Sequence, residues 1–202
     1  MHLILPDVDG PTRVSWGDPQ PLDDDRFYDL CVANPDLRIE RNATGEVVIV
    51  APVGGESDYR SLDLGAQLAT WAKRDKRGKA FGSSVCFILP DGAGLSPDAA
   101  WVSNRKLLEL PVAARKKFLP VVPDFVAEVL SPSDRLKDAR QKMDQWIANG
   151  VGLGWLVDGD NETVFVYRPG QQVVEHKGTE RLEGEGPLTG FVADFEDIWA
   201  GL

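Results

Sequence analysis

Histidine is nearly absent from this chain: among 202 residues only His2 and His176 occur. That excludes the H-E-x-x-H zinc hydrolases and the histidine-centred nucleases of the HNH kind. A Ser-His-Asp triad would have to draw on His176, and no G-x-S-x-G elbow exists to present its serine. Cysteine is equally scarce. Cys31 and Cys86 form neither a metal-ligand spacing nor a disulfide framework, so a reduced, cytoplasmic setting is the expectation. No apolar run approaches the roughly 18–20 residues needed to span a bilayer, so no membrane partner is expected. The opening Met1-His2-Leu3-Ile4-Leu5-Pro6-Asp7 has neither a basic start nor a long apolar core, and does not read as a secretory signal. Enzymatic chemistry, if present, must run on carboxylates, lysine and a metal.

What remains is ordinary in amount and uneven in placement. The chain is long enough for one domain with a sizeable core, and its 43% apolar and 27% charged residues suit a globular protein. The net charge of −10 argues at first sight against a polyanionic partner. Its distribution argues the other way. Residues 1–59 hold 4 Lys/Arg against 12 Asp/Glu and residues 143–202 hold 3 against 11, whereas residues 60–142 hold 15 against 9. The basic excess falls on the middle of the chain. Solvated helix faces would explain it as well as a phosphate partner would.

Local patterns give the order of elements. Residues 1–22, rich in Pro, Gly and Asp, read as an irregular N-terminal arm, and residues 23–202 as one domain. Asp23-Asp24-Asp25 supplies an acidic cap and first turn for a helix to Ala33. Two short strands around Asn42-Ala43-Thr44-Gly45 form a hairpin. A helix from about Glu56 to Arg74 is apolar on two faces, which places it in the core or against a second subunit. Its basic end, Lys73 to Lys79, suits a helix C-terminus, with Gly78 as the left-handed stop. Lys79 to Leu89 and Leu95 to Ser103 read as two long strands. Val122 to Leu130 is an apolar strand, followed by a helix from Asp134 to about Asn149 with Ser133 as its cap. Strands at Leu153–Asp158, Thr163–Arg168 and Gln172–His176 make a meander, and a short helix lies near Phe195 to Trp199. The pattern predicts an α/β (α+β) domain, a mixed β-sheet flanked by helices with a C-terminal β meander.

One residue in this pattern demands an explanation. Glu128 lies inside the apolar run Phe125-Val126-Ala127-Glu128-Val129-Leu130, where a charge is costly unless paired or bound to a cation. Asp98, at the head of Ala99-Ala100-Trp101-Val102, is the natural companion. The crossover between the two strands exceeds the dozen or so residues that parallel neighbours need, so the strands can be adjacent. Two carboxylates converging on a hard divalent ion suit phosphodiester hydrolysis. Such an ion lowers the pKa of a bound water, neutralises a nonbridging oxygen and supports the leaving oxygen.

The ordered set Ser96-Pro97-Asp98-Ala99-Ala100-Trp101-Val102, Pro123-Asp124-Phe125-Val126-Ala127-Glu128-Val129-Leu130-Ser131-Pro132-Ser133-Asp134, a helix with Lys142, Asn149-Gly150 and Leu153-Gly154-Trp155-Leu156-Val157-Asp158 resembles the Uma-type restriction endonucleases of the PD-(D/E)XK superfamily. The resemblance runs from about Glu46 to Trp199 and takes in the Gly54-Gly55-Glu56 and Arg168-Pro169-Gly170 turns. It implies a restriction-endonuclease-like core, dependence on Mg2+ (or Mn2+), DNA as substrate with RNA less favoured, and a homodimer. It also implies Asp98 and Glu128 as catalytic metal ligands and Glu56 as a possible additional acidic residue on the first helix. Helix N-terminal electrostatics alone would explain Glu56 equally well. Relatives usually carry a histidine just after it, where this chain has Tyr59 and Arg60.

The superfamily pattern puts lysine two positions after the glutamate, and here that position is Leu130. The resemblance moves the catalytic lysine to the next helix, at Lys142. Helical geometry is compatible: Leu136, Ala139, Met143, Trp146 and Ile147 mark a buried stripe, with Lys142 on its shoulder, roughly 90° from the centre, and Lys137 roughly 130° away, towards solvent. A lysine snorkelling at a helix edge is the plainer alternative for Lys142. Asp124, at a strand start after Pro123, reads as a turn residue. A catalytically silent nuclease fold that binds DNA or protein is the rival reading, favoured by the acidic balance and the missing in-strand lysine.

Overall fold

The computed structural model describes residues 22–202 and the backbone of Thr12–Val14. The elements in chain order are β1 (Thr12–Val14), α1 (Asp24–Ala33), β2 (Arg38–Arg41), β3 (Val47–Val50), α2 (Gly55–Asp75), β4 (Gly78–Gly82), β5 (Phe87–Ile88), β6 (Gly94–Leu95), β7 (Ala99–Ser103) and α3 (Asn104–Glu109). They continue with β8 (Phe125–Val129), α4 (Leu136–Ala148), β9 (Leu153–Asp158), β10 (Thr163–Tyr167), β11 (Val174–Lys177), β12 (Arg181–Glu183), β13 (Val192–Asp194) and α5 (Glu196–Ala200). The expected irregular arm of residues 1–22 contains the edge strand β1. Otherwise, apart from Leu22, it lies outside the described residues.

The main sheet has six strands in the order β11-β10-β9-β8-β7-β4. Only β8 and β9 run parallel, joined through α4; the other neighbours are antiparallel. This is the expected mixed α+β sheet flanked by helices. Strand alternation sorts its core. Odd positions of β7 and β8 (Ala99, Trp101, Phe125, Ala127, Val129) face Leu64, Leu68 and Ala72 of α2. Even positions (Ala100, Val102, Val126), with Leu156 of β9, face Met143 and Trp146 of α4. Burying Met143 contributes on the order of 1.5–3 kcal/mol to holding α4 on the sheet.

A second sheet, β1-β3-β2-β6-β5, is antiparallel throughout and packs around Phe27 of α1. It arises because the two expected long strands are each broken. Lys79 to Leu89 divides at residues 83–86 into β4 and β5, and Leu95 to Ser103 divides at Ser96-Pro97 into β6 and β7. Each arm therefore leaves the main sheet for the second one. Pro97 has no N–H for the ladder, and at that point the chain turns the corner between sheets.

Two local expectations are corrected and a third is partly accounted for. The left-handed residue that ends α2 is Lys76 (φ 64°), not Gly78. Gly78 instead allows close approach, since a Cβ there would sit 2.4 Å from Trp101. Ser133 does not cap α4; Asp134 folds back, its Oδ2 accepting from Ser131 N at 2.8 Å and Ser131 Oγ at 2.9 Å, and the helix begins at Leu136. The two-faced α2 is partly explained within the chain, because Trp71 packs on Phe191 and α5 lies against the same helix.

Candidate active site

The corner at Ser96-Pro97 is where charged residues gather. Asp98 immediately precedes β7, whose register with β8 is antiparallel, Ala99 facing Ala127. The crossover length leaves room for parallel neighbours; the two strands are indeed adjacent, but run in opposite directions. Past Ala99 the ladder changes. Asp98 N donates to Ala127 O at 3.1 Å, while its carboxylate Oδ2 accepts from Val129 N at 2.8 Å. Asp98 thus brackets Glu128, tying down the residue before it and the residue after it.

Glu128 is on the even, α4-facing side of β8, and α4 supplies its partners. Trp146 Nε1 donates to Glu128 Oε1 at 2.9 Å, and Lys142 Nζ lies 3.1 Å from Oε1 and 3.2 Å from Oε2. Lys142 and Trp146 are four residues apart, one helical turn, so one face of α4 presents both donors to one carboxylate. The shoulder position of Lys142 is therefore used inward, as helical geometry allowed, while Lys137 is exposed.

The second sheet adds a residue that local sequence pattern does not single out. Glu40 of β2 is buried, and its Oε1 accepts from Lys142 Nζ at 3.0 Å and from Ser96 N at 3.1 Å. Lys142 Nζ also donates to Ser96 O at 3.0 Å. Arg38, on the same face of β2 as Glu40, donates to Ser96 O at 3.1 Å and lies 3.8 Å from Asp98 Oδ1. A signal existed in the sequence: Arg38-Ile39-Glu40-Arg41 is a strand with charges on both faces, which a strand with one solvated and one apolar face does not have. The buried stripe of α4 marks Trp146 as core, and its role as a donor to Glu128 depends on the packing of α4 on β8.

Three carboxylates, Glu40, Asp98 and Glu128, thus share a small volume with Lys142 and Arg38. Burial pushes the Glu128 carboxyl up to about 7, with Asp98 and Glu40 adding to the rise and Lys142 and Trp146 opposing it. Burial also raises Asp98, against the Val129 N–H and the Lys142 and Arg38 charges. For Lys142, burial would lower the ammonium, but Glu128, Glu40 and Asp98 outweigh it and raise it. With all three carboxylates ionised the group would hold three negative charges against two positive ones, and the raised Glu128 carboxyl is the response to that imbalance and to burial.

Glu56 does not join this group. It lies on α2, against the opposite face of the sheet, and its Oε1 is 2.8 Å from Nη2 of the buried Arg60. Arg60 in turn binds Asp160 at 2.8 Å and Ile198 O at 3.0 Å, so Glu56 belongs to a clasp on the C-terminal segment. Asp124 is a structural residue at the far end of β8, as its position after Pro123 suggested. It accepts from Ser103 N at 2.7 Å and pairs with Lys106 at 2.9 Å.

A mixed sheet flanked by helices, with this charged corner on its α4 face, is a nuclease-like architecture. The family model Uma2, described as "Putative restriction endonuclease", matches residues 24–196, and the chain belongs to that family. The fold is similar to that of a "putative nuclease belonging to DUF820" from Anabaena variabilis ATCC 29413, known from a crystal structure. The TM-score is 0.68 at 18% identity, over 80% of this chain and 89% of that one. At that identity the likeness concerns the fold. No curated protein matches the chain. Among the described residues, no helix is long and apolar enough to cross a membrane.

Proposed function

We propose that the protein is a divalent-metal-dependent nuclease of the PD-(D/E)XK type that hydrolyses DNA, with RNA the less favoured substrate. Asp98 and Glu128 are its metal ligands in this reading and Lys142 its assisting cation. The observation that carries it is the convergence, at one corner, of two carboxylates from neighbouring strands and an ammonium from the next helix.

The donor set fits a hard cation. Every candidate ligand atom is oxygen, and Mg2+ characteristically keeps several waters while binding through one or two carboxylates. A site of that kind needs no larger cage, and among the described residues no three His, Cys, Asp or Glu side chains are arranged to hold one ion together. The surplus negative charge of Glu40, Asp98 and Glu128 is what a bound cation would relieve. When bound, the metal supplies a water of lowered pKa and charge neutralisation at a phosphate oxygen.

The protein's own residues orient the rest. Val129 N fixes the Asp98 carboxylate and Trp146 fixes that of Glu128, so both are held before substrate arrives. In this reading Lys142, anchored at 3.0 Å to Glu40, turns one N–H from its present acceptors to the attacking water or a phosphate oxygen. Assistance of that kind is worth roughly 10²–10⁴-fold. For the polyanion, Lys79, Arg105, Lys116 and Lys137 are exposed and pair with no carboxylate among the described residues. Lys106, Lys117 and Arg77 are engaged by Asp124, Asp25 and Asp75.

One observation favours the rival, a silent binding module: the Lys142 ammonium already has Glu40, Ser96 O and Glu128 as acceptors. Calorimetric titration with Mg2+ and Mn2+, run with cleavage assays on DNA and RNA, separates the two. The wild type should bind metal and cleave DNA, and Glu128→Ala should lose both. Metal binding without cleavage of either nucleic acid selects the silent module, and no metal binding removes the metal site altogether.

A further inference from the structure

Glu40 belongs to neither the carboxylate pair nor the sheet that bears it, yet the site closes around it. The side chain is 9% exposed and its Oε1 accepts two hydrogen bonds, from Ser96 N at 3.1 Å and Lys142 Nζ at 3.0 Å. Ser96 O receives Lys142 Nζ and Arg38 Nη2. The ammonium is thus gripped from three directions: Glu40 from the second sheet, Ser96 O from the corner, and Glu128 from the main sheet.

A lysine has four side-chain torsions and reaches its target as a mobile point charge unless something fixes the nitrogen. Lys142 reaches the carboxylates from a separate element, α4, so the position of its nitrogen is set by what it meets there. We propose that Glu40 is a positioning residue, supplied by the second sheet, that holds the Lys142 ammonium at the carboxylate pair. Glu40 acts through Lys142 and does not touch substrate. The hairpin of β2 and β3 is then part of the working site. The proposal rests on the nuclease reading for its consequence in cleavage, but not for the contact itself.

Two measurements test it. The first is independent of activity: nitrogen-15 NMR detection of lysine ammonium groups, in which an anchored ammonium exchanges its protons slowly enough to be seen. Wild type should show a protected signal that disappears in Lys142→Met, distinct from any given by Lys106, which Asp124 and Val122 O hold. Glu40→Gln keeps an acceptor for Ser96 N but removes the charge, and should speed that exchange about tenfold, the difference between a charge-assisted and a neutral hydrogen bond. Asp25→Asn, which breaks only the surface pair with Lys117, should leave the signal unchanged. Glu40→Asp, one methylene shorter, covers the case in which the amide variant fails to fold, and should also weaken protection. The second is a double-mutant cycle in cleavage. Glu40→Gln should cost about 10²-fold in the native background, as a misplaced catalytic group does. It should cost almost nothing beside Lys142→Met. An ammonium signal absent from wild type, or unaltered by both Glu40 variants, overturns the proposal. So does an equal loss in both backgrounds of the cycle, which would make Glu40 a support for the Ser96 corner alone. Absence of cleavage in wild type would instead refute the nuclease reading, and the ammonium signal would still decide on Glu40.

Discussion

Replacing Lys142 with methionine keeps the apolar stem and removes one charge, and the consequences can be worked from the contacts. Its ammonium stands 3.0 Å from Glu40 and 3.1 Å from Glu128, whose side chains are 9% and 11% exposed. Without it, both carboxylates face each other with little water. Removing one partner of a buried pair costs about 3–5 kcal/mol. The Lys142 side chain is itself 23% exposed, so partial screening favours the lower end, about 3 kcal/mol. Against a total stability on the order of 5–15 kcal/mol, that variant still folds. A divalent ion should then stand in for the lost charge, restoring about 2.7 kcal/mol at a hundredfold excess over its dissociation constant. Urea unfolding with chelator and then with Mn2+ reads both effects: a large drop in midpoint, largely recovered by metal. Cleavage should stay about 10²–10³-fold down whether or not stability is recovered. Lys137→Met should shift stability by less than about 0.5 kcal/mol. Should Lys142→Met match wild type in chelator, the ammonium does not balance buried charge and the electrostatic account of the corner fails. Equal loss of cleavage in the two lysine variants would make both of them phosphate contacts.

The raised Glu128 pKa carries a sign. A carboxyl at about 7 in the fold against 4.5 unfolded binds its proton more tightly when folded, so its stabilisation is complete below 4.5 and lost as pH rises through about 7. The metal-free protein should therefore be less stable at pH 8 than at pH 5 by urea unfolding (Asp98, also raised, acts in the same direction), and a flat profile would contradict the burial argument. As to assembly, Leu62 on α2 is 67% exposed, and a homodimer is the expected state. Light scattering at micromolar protein should give twice the monomer mass, with Leu62→Glu returning it to monomer; a monomeric wild type removes assembly from the reading.

The sequence by itself determined the element types and the identities of the two strand carboxylates. Those follow from short-range causes: alternation over β7 and β8, the 3.6-residue stripe of α4, acidic first turns, and the anomaly of a charge within Phe125–Val129. Even the inward reach of Lys142 was legible, because a helix fixes the angle between one residue and its buried neighbours. Only the tertiary structure decided that Lys79–Leu89 and Leu95–Ser103 each change sheets. A break at Ser96-Pro97 looks the same locally whether the strand continues or leaves, and the choice depends on the packing of α1 and β2. It also decided the fates of two glutamates whose local settings said little. Glu56, well placed at a helix start, is drawn to Arg60 by the fold of the C-terminal segment, on the side of the sheet away from the corner. Glu40, in a short hairpin strand, reaches Lys142 across 102 positions of chain. Periodicity reports which face of an element is buried, but the partner beyond that face is set by long-range packing, and there the charged corner acquired its third carboxylate.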